Sequence, residues 1–336
     1  MYICSQPFEN LEIKFNGDLH FCCERHLPIS IGNIYKNSFD EIWNSEVAKK
    51  IRKCIVKSNY SLCHEELCTT LQSKAKNIQD ISFLKDDGTI LKGPKYVTFC
   101  HDRECNIACV YCRKELLKNS DEEIAFLNEK IETDFLPLLK DTEIVVTNAH
   151  GDAFGSRHSR YLIKRIHEIY PNIKFEIFTN GILFNKYNID NLKIENNLNV
   201  VKISLPATTK ETYKKMVLNG DLYFDKLIDN LEYVSELKKT KNFDFYMFFI
   251  VTSLNYKEII PFLDLAKKLG AFPVINEYLD VQNRHDNKHP EYVITDKNHS
   301  EYNEFVKIIQ DQNILYNRPK VGMSPGIRKI FENKDS

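Results

Sequence analysis

Apolar strand-like runs alternate with amphipathic helix-like runs from Tyr96 to about residue 280 of this 336-residue chain. The strand candidates are 96–100, 143–147, 174–178, 200–205, 245–252 and 273–279. The helix candidates are 121–139, 157–170, 187–193, 209–217, 224–239 and 257–269. Neighbouring parallel strands need a long crossover between them, usually a helix, so this alternation predicts a parallel sheet or a partial barrel. The predicted fold class is therefore α/β.

The distribution of cysteine sets the N-terminal part of the chain apart. Residues 1–70 contain six of the ten cysteines, whereas residues 113–336 contain none. A strand at 11–15, a turn at Asn16-Gly17-Asp18 and a return strand at 19–22 predict a hairpin. This region therefore predicts a separate cysteine-rich α+β module.

A helix is predicted to follow the hairpin, over 39–53. Ser38 is its candidate N-cap, and Glu41 stands three residues further on, as in a capping box. The predicted domains are the module at 1–75, a polar linker at 76–95, an α/β domain at 96–280 and a C-terminal extension at 281–336. The extension contains one predicted helix near 299–312.

The charge balance narrows the class of partner. The chain has 46 Lys and Arg against 47 Asp and Glu, and no basic block stands out, which argues against a nucleic-acid partner. Its first residues have no basic stretch followed by a long apolar run, so we expect no signal peptide, no membrane span and a cytoplasmic location. In a reducing compartment ten cysteines favour metal or cluster ligation over disulfides.

Cys105, Cys109 and Cys112 form a C-x3-C-x2-C run soon after the strand at 96–100. Enzymes with parallel sheets place their sites at the carboxyl ends of the strands. Three thiolates hold three corners of a cubane iron–sulfur cluster and leave the fourth iron without a protein ligand. Zinc or scattered core thiols are the alternatives, but zinc sites usually have four ligands and no fourth Cys or His follows closely.

This run resembles that of the radical S-adenosylmethionine (SAM) superfamily. The resemblance implies a [4Fe–4S] cluster on Cys105, Cys109 and Cys112 whose open iron is chelated by SAM, with Tyr111 next to the adenine. It also implies an open partial (β/α)6 TIM-like barrel over 96–280. The electron for SAM cleavage would come from an external one-electron reductant such as flavodoxin or ferredoxin.

Two further segments resemble SAM-binding segments of the superfamily. Gly151 and Asp152, after the second strand, match the end of the Gly-Gly-Glu that holds the SAM amine, with His150 in place of the first glycine. The alternative is an ordinary turn in which Asp152 caps the next helix. Asn180 stands in a Thr-Asn-Gly that closes the third strand, where the resemblance implies a polar contact to SAM; alone, Asn180-Gly181 is a turn signal.

Ser204 ends the fourth strand, and the resemblance implies that it reaches the ribose or methionyl group of SAM. Asn255, after the fifth strand, is a weaker candidate of the same kind. Thr209, shortly after Ser204, is typical of a helix start, and both interpretations can hold together.

The N-terminal cysteines resemble the SPASM-type auxiliary-cluster module, which normally follows the barrel but here precedes it. The resemblance implies a second [4Fe–4S] cluster, on Cys4, Cys22, Cys63 and Cys68, for which Cys23 and Cys54 could substitute. Zinc at four of these cysteines, or an incomplete relic of the module, are the alternatives. A closed cluster would relay electrons, whereas an open one could bind substrate.

The resemblance implies an oxidoreductase that abstracts a substrate hydrogen through a 5′-deoxyadenosyl radical and oxidises the substrate radical through the auxiliary cluster. A peptide or protein is the leading substrate class. The alternatives are a dehydrogenase or deoxygenase of a sugar or aminocyclitol, and a non-catalytic metal-binding scaffold. His101, His150 and His158 are possible acid–base groups, and Cys100 is either directed into the barrel or a small buried hydrophobe.

Overall fold

The predicted alternation of strands and helices is present in the structure, a computed structural model that describes residues 2–147, 150–278, 290–311 and 321–332. The chain divides into two units, one of Met1–Arg103 with Asn119–Glu176 and one of Glu104–Lys118 with Ile177–Ser336. Each unit is mixed α/β; the strands of the first pair both in parallel and antiparallel, and strands β7 to β10 of the second pair in parallel. The predicted domain boundaries near residues 75 and 95 do not coincide with this division. The assignment of separate functions to the predicted domains stays a prediction.

The first unit carries both the cysteine-rich region and the first strands of the predicted α/β domain. Its strands are β1 Asn10–Lys14, β2 Asp18–His20, β3 Gly32–Asn33, β4 Tyr96–Cys100, β5 Ile144–Thr147 and the first half of β6 Lys174–Thr179. Its helices are α1 Gln6–Glu9, α2 Phe39–Trp43, α3 Glu46–Val56, α4 Thr69–Ser73, α5 Asp121–Lys130, α6 Leu136–Leu138 and α7 Arg157–Ile169. A π-helical turn, Ile131–Phe135, joins α5 to α6, and a 3₁₀ turn, Leu139–Asp141, follows.

The strand order in this unit is β3-β2-β1-β4-β5-β6. The predicted hairpin is confirmed, because β1 and β2 are antiparallel. Its turn requires glycine, since Gly17 has φ +83° and a Cβ there would lie 2.4 Å from the Tyr35 ring. The hairpin does not stand apart, since β1 also pairs in parallel with β4 over five residues.

The predicted helix over 39–53 is wrong in one respect, because two helices occupy the segment. Ser38 and Glu41 form the predicted capping box of α2. The chain then breaks at Ser45, whose hydroxyl accepts a hydrogen bond from the Ala48 N–H (3.2 Å) and starts α3. The Asn44 amide donates to the Ile90 carbonyl (2.9 Å), which fixes the break.

The second unit contains the remaining strands and helices. Its strands are the second half of β6, β7 Leu198–Ser204, β8 Asp244–Val251, β9 Phe272–Glu277 and β10 Gly322–Met323, in the order β6-β7-β8-β9-β10. Its helices are α8 Lys186–Leu192, α9 Lys210–Met216, α10 Phe224–Thr240, α11 Ile259–Lys268, α12 Tyr302–Ile309 and α13 Pro325–Glu332, with 3₁₀ turns at Gly220–Leu222, Tyr256–Glu258 and Pro290–Tyr292. Strands β7 to β10 are parallel to their neighbours.

The predicted strands and helices between 96 and 277 are confirmed with boundaries that differ by a few residues. The helix predicted near 299–312 is present as α12. Residue 279 of the last predicted strand, and residues 281–289, 312–320 and 333–336 of the predicted extension, lie outside the described residues. No helix in the described ranges is long and apolar enough to cross a membrane.

The strands of the second unit bury alternate side chains, as a sheet covered on one face by helices requires. In β7, Val201 and Ile203 are fully buried, whereas Lys202 and Ser204 are half-buried on the opposite face. Burial of one such apolar side chain stabilises the fold by about 1.5–3 kcal/mol. This pattern places Ser204 on the less buried face at the carboxyl end of the strand.

Candidate functional site

The cysteine loop, defined here as residues 104–118, is held in place by the segment that follows α9. Cys109 lies opposite Val217 in a short antiparallel bridge. On either side of this bridge, a backbone hydrogen bond of 2.9 Å joins the loop to the segment of Val217. The Val110 N–H donates one of these hydrogen bonds, and the Ala108 carbonyl accepts the other. The middle of the loop therefore has a fixed conformation although it contains neither helix nor strand.

The three thiols of the loop lie near one another in a buried setting. Cys105 is 9% exposed, and the Cys112 N–H donates to the Cys109 carbonyl across a tight turn (2.8 Å). Burial raises the pKa of the Cys109 thiol, and the neighbouring Cys112 and Cys105 raise it further. The Cys109 thiol is neutral on its own, so a bound metal centre is what would hold it as a thiolate.

A single metal ion and a cluster place different demands on the loop. Among the described residues, no three His, Cys, Asp or Glu side chains are arranged to hold one metal ion. A [4Fe–4S] cluster makes a different demand, because each thiolate binds a different iron. Three neighbouring thiols in one short loop meet that demand for three corners.

Asn180 contacts the first cysteine of the loop. It is 8% exposed, and its Nδ2 donates to Asn106 Oδ1 (2.8 Å) and to the Cys105 sulfur (3.7 Å). Its Oδ1 accepts a hydrogen bond from the Ile182 N–H (3.0 Å). The sequence indicated a polar residue near SAM at this position, and the structure adds a direct contact with a cluster-loop thiol.

The turn that carries Asn180 depends on the glycine after it. Gly181 has φ +81°, and a Cβ there would lie 2.7 Å from Leu227 and 2.9 Å from Ile203. The amide of Asn230, which sequence reasoning missed, donates to the Gly181 and Ile182 carbonyls (2.9 and 2.8 Å). The available signal was an asparagine on the buried face of α10, whose other buried residues are all leucine or valine.

Tyr111 and Ser204 belong to the same unit as the thiols and Asn180. Tyr111 is 7% exposed, and its ring centroid lies 6.4 Å from that of Tyr278. Burial raises the pKa of the Tyr111 phenol, so this side chain stays neutral. Ser204 ends β7 as predicted, opposite Phe248 of β8.

The loop after Ser204 is fixed by Glu258, a buried carboxylate that the sequence did not single out. Glu258 accepts hydrogen bonds from the Thr208 N–H and the Thr209 hydroxyl, both at 2.5 Å. Burial acts to raise its pKa, but these hydrogen bonds outweigh it, so the pKa of Glu258 is lowered. The predicted helix start is confirmed, since the Thr209 hydroxyl caps α9.

Asn255 has a structural role in the same region. Its Nδ2 donates to the Pro206 and Ile250 carbonyls (2.8 and 2.9 Å), and its Oδ1 accepts from the Thr252 N–H (2.7 Å). With 1% exposure, the side chain joins the end of β8 to the loop after β7. These contacts favour a role in packing over the weak prediction of a SAM contact.

Gly151 and Asp152 belong to the first unit. Asp152 is 1% exposed, and its Oδ1 accepts hydrogen bonds from the N–H groups of Phe154 (3.0 Å) and Gly155 (2.6 Å). The cap of the following helix is Ser156 rather than Asp152, so the alternative that Asp152 is the N-cap is wrong, although the side chain does stabilise the turn before it. Residues 148 and 149 of the same motif lie outside the described residues.

The N-terminal cysteines surround a cavity of about 290 Å³ in the first unit. The cysteines that line it are Cys4, Cys22, Cys23, Cys63 and Cys68. They come from four places in the chain: before α1, after β2, in the turn after α3 and just before α4. This cysteine cavity brings together the four predicted ligands, and Cys54 is not among the described residues that line it.

The pKa shifts identify Cys22 as the central thiol of the cysteine cavity. Burial raises its pKa well above the usual range, and Cys4, Cys63 and Cys68 raise it further. Burial, Cys4 and Cys68 raise the pKa of Cys63 to about 11. Neighbouring thiols with raised pKa values suit a cluster that would supply the compensating positive charge.

Glu12, which lines this cavity, pairs with a buried lysine. Lys14 is 3% exposed, and its Nζ lies 2.7 Å from Glu12 Oε1, which also accepts a hydrogen bond from the Cys100 thiol (3.5 Å). Burial acts to lower the pKa of Lys14, but Glu12 outweighs it and the pKa is raised. Of the two roles predicted for Cys100, the structure favours that of a small buried side chain. Its thiol also has a polar partner, Glu12.

His101 and His158 form a buried pair in the first unit. Their Nε2 atoms are 2.6 Å apart, and His158 Nδ1 lies 2.8 Å from Asn128 Oδ1. Because the amide oxygen accepts a hydrogen bond from His158 Nδ1–H, His158 Nε2 carries no proton and accepts the hydrogen bond from His101 Nε2–H. Burial lowers the pKa of both rings, so the pair is neutral near pH 7.

None of the ten cysteines, all of which lie in the described ranges, forms a disulfide. Residues 4–69 match the SPASM family, described as an iron–sulfur cluster-binding domain. The match coincides with the cysteine cavity and agrees with the N-terminal position of the predicted module. This part of the chain is thus similar to an iron–sulfur cluster-binding domain.

The chain is also similar to proteins of cofactor assembly. It is 26% identical over 198 residues to the FeMo cofactor biosynthesis protein NifB of Methanocaldococcus jannaschii, covering 52% of this chain and 63% of the relative. NifB of Methanocaldococcus infernus is 26% identical over 199 residues, covering 52% and 65%. The chain thus spans less than two thirds of the length of these curated relatives. The domain match and this similarity together support the resemblance to the radical SAM superfamily with a SPASM domain.

Solved structures of SuiB from Streptococcus suis are similar over most of the chain. SuiB bound to S-adenosylmethionine is 15% identical, with a TM-score of 0.46 and coverage of 96% of this chain and 72% of that chain. SuiB bound to precursor peptide SuiA is 14% identical, with a TM-score of 0.47 and coverage of 96% and 73%. Scores below 0.5 carry no argument about function.

Proposed function

We propose that this protein is a radical SAM enzyme with an N-terminal auxiliary cluster. Cys105, Cys109 and Cys112 would hold the SAM-binding [4Fe–4S] cluster. Cys4, Cys22, Cys63 and Cys68 would hold the second. The observation that carries the proposal is the grouping of the cysteines into two sets, one in a loop after β4 and one in the region that matches an iron–sulfur domain.

When bound, the clusters and SAM would supply one-electron chemistry, in which one electron goes to SAM and another is taken from the substrate radical. The residues of this chain would bind and orient the reactants. Tyr111 would lie next to the adenine, Gly151 and Asp152 would hold the SAM amine, and Asn180 and Ser204 would contact the rest of SAM. A partial (β/α)6 barrel over 96–280 would exclude water and stray hydrogen donors.

We further propose that the substrate is a peptide or protein and that the reaction is an oxidation. The support is the SPASM match, since the resemblance to that class implies a second cluster able to take an electron from the substrate radical. The chain would act in the cytoplasm with an external one-electron donor such as flavodoxin or ferredoxin. With a sugar or aminocyclitol as the substrate, the product would differ, but the two cysteine groups would keep the same roles.

Metal analysis after anaerobic reconstitution tests the proposal. We expect about eight irons and eight sulfides per chain, falling to about four of each in the Cys105/Cys109/Cys112→Ala triple variant. The wild type should also release 5′-deoxyadenosine from SAM in the presence of dithionite, and the triple variant should release none. About four irons that fall to zero would contradict the auxiliary cluster, and a wild type without 5′-deoxyadenosine would contradict the enzyme.

A specific observation favours one other function, that of a metal-binding scaffold without SAM chemistry. Asp152 Oδ1 accepts two backbone hydrogen bonds from its own turn, and His150 replaces the first glycine of the superfamily's motif. A scaffold would keep both clusters but neither bind SAM nor release 5′-deoxyadenosine. Equilibrium dialysis with labelled SAM on the reconstituted protein separates the two functions.

A further inference from the structure

A buried carboxylate lies at the point where the chain leaves β4 for the cysteine loop. Asp102 is 2% exposed and stands three residues before Cys105. Its Oδ2 accepts hydrogen bonds from the hydroxyl groups of Ser156 and, at 3.2 Å, Ser159. Its Oδ1 accepts from Asn119 Nδ2 (2.9 Å). Burial of a carboxylate is costly unless its oxygens are hydrogen-bonded, and here at least three donors meet it.

Asn119 stands where the chain returns from the cysteine loop. The hydrogen bond between Asp102 and Asn119 therefore joins the two ends of the loop. Arg157 strengthens the same end, because its Nη2 donates to the Asn119 carbonyl (2.7 Å) and its Nη1 to Asp121 Oδ1 (2.8 Å). All of these residues belong to the first unit, so both ends of the loop start from one fixed base.

The first turn of α7 forms that base. Ser156 is its N-cap, and the hydroxyl that donates to Asp102 also accepts from the Ser159 N–H (2.9 Å). The negative charge of Asp102 is favourable there, because the N-terminus of a helix carries a partial positive charge. The same turn is joined to the segment of Gly151 and Asp152, since the Ser156 N–H donates to the Asp152 carbonyl (3.0 Å).

We propose that Asp102 is a positioning residue for SAM binding, which fixes both ends of the cysteine loop to the first turn of α7. The inference rests on the proposed function, because it assigns a task to the base of a cluster loop. Residues that hold metal ligands in place often affect binding and activity nearly as much as the ligands do. The reason is that a displacement of about 1 Å weakens a preorganised site. Asp102 does not touch SAM in this account and acts through the loop.

The test compares Asp102→Ala and Asp102→Asn with the wild type and with Ile163→Ala. Asparagine preserves the shape of the side chain and, after rotation of the two facing amides, its hydrogen bonds. Ile163 is a fully buried residue of α7 that makes none of the contacts at the loop base, so its truncation destabilises the same helix. The readouts are iron content, and the change that added SAM causes in the electron paramagnetic resonance spectrum of the dithionite-reduced protein.

In Asp102→Ala we expect about eight irons but an affinity for SAM that is about 10- to 100-fold weaker in the spectral titration. Asp102→Asn should bind SAM with close to the wild-type affinity. Ile163→Ala should keep both the wild-type iron content and the wild-type response to SAM. Loss of about four irons from Asp102→Ala alone would equally support the inference, because it would place the effect at one cluster.

An unchanged SAM response in Asp102→Ala would overturn the inference, and so would the same loss in Ile163→Ala, which would mark a general effect on stability. Failure of the proposed function looks different. A reconstituted wild type whose spectrum does not respond to SAM would overturn the enzyme itself, and this assignment with it.

Discussion

The two cysteine groups differ in how the chain assembles them. Cys105, Cys109 and Cys112 lie within one loop of the second unit, so the local conformation of that loop brings them together. The thiols of the cysteine cavity come from four separate places between residues 4 and 68, and a hairpin and three helices must fold before they meet. One group is therefore a property of a loop, and the other is a property of a folded domain.

Because of this difference, the two cysteine groups should respond to different substitutions. Damage to the fold of the module should release the auxiliary cluster, because metal binding and folding are coupled where the ligands come from distant segments. The loop group should respond instead to the few contacts that fix the loop, such as Asn180 at Cys105 and the Asp102 base.

Replacement of the central thiol of the cysteine cavity should have the largest effect. We expect Cys22→Ala to lose about four irons while the SAM-dependent release of 5′-deoxyadenosine persists. Cys54→Ala is the matched control, because Cys54 lies in the same module but does not line the cavity in the described chain. Iron analysis and 5′-deoxyadenosine assays check this, and equal iron loss in both variants would contradict the assignment.

The loop group is best probed through the glycine next to Asn180. Gly181→Ala forces a side chain onto φ +81° and against Leu227 and Ile203, so we expect it to lower the free energy of unfolding by about 2–4 kcal/mol. It should weaken the loop cluster and spare the auxiliary cluster. Gly270→Ala is the control, since φ is +66° there but nothing lies within 4 Å, and its cost should be about 1 kcal/mol. Urea denaturation measures both, and equal costs would refute the role of the close contact.

The buried histidine pair predicts a pH dependence of stability in the first unit. Burial lowers the pKa of His101 and His158 below the unfolded value of about 6.5, so the unfolded state binds more protons between these values. The stabilisation is complete above pH 6.5 and is lost as the pH falls. We expect a loss of about 1–3 kcal/mol between pH 7.5 and 5.5, despite the opposing effect of Asp102 on both rings. His158→Gln should reduce this slope in urea titrations, whereas a slope unchanged from the wild type would contradict the prediction.

The smallest expected effect concerns the capping box of α2. Ser38→Ala removes the acceptor for the Glu41 N–H and should cost about 1 kcal/mol in the apoprotein. In the proposed function only the folded module would bind the cluster, so reconstitution should raise the midpoint of thermal unfolding for wild type and variant alike. Calorimetry before and after reconstitution checks this, and a midpoint that does not rise would argue against ligation by the module.

Much of the secondary structure could be predicted because its signals are local. The run at 96–100 coincides with β4, and the Asn-Gly-Asp turn gave the hairpin, since periodicity and turn residues act over a few positions. The break at Ser45 was missed because its causes include a distant partner, the Ile90 carbonyl. The spacing of Cys105, Cys109 and Cys112 indicated a cluster by itself, whereas the ligand set of the N-terminal group was implied only by resemblance to a known family.

The contacts that shape the sites could not be predicted, because they join residues far apart in the chain. Asn180 meets Cys105 across 75 positions, and Asp102 meets Ser156 across 54. Glu258 fixes a loop 50 residues before it. A buried polar side chain was the only common sign of these residues, and burial is itself a property of the folded chain.

The parallel pairing of β1 with β4 has a consequence for any shortened form of the protein. Leu11, Ile13, Val97 and Phe99 are all at most 2% exposed on these two strands. A chain that began at residue 76 would lack β1, so one edge of β4 would have unpaired amide and carbonyl groups and exposed apolar side chains. Such an exposed strand edge can pair with a strand of another molecule. Such a truncation should precipitate or form fibres, so the segment that carries the auxiliary thiols also serves the remaining sheet as a cover against self-association.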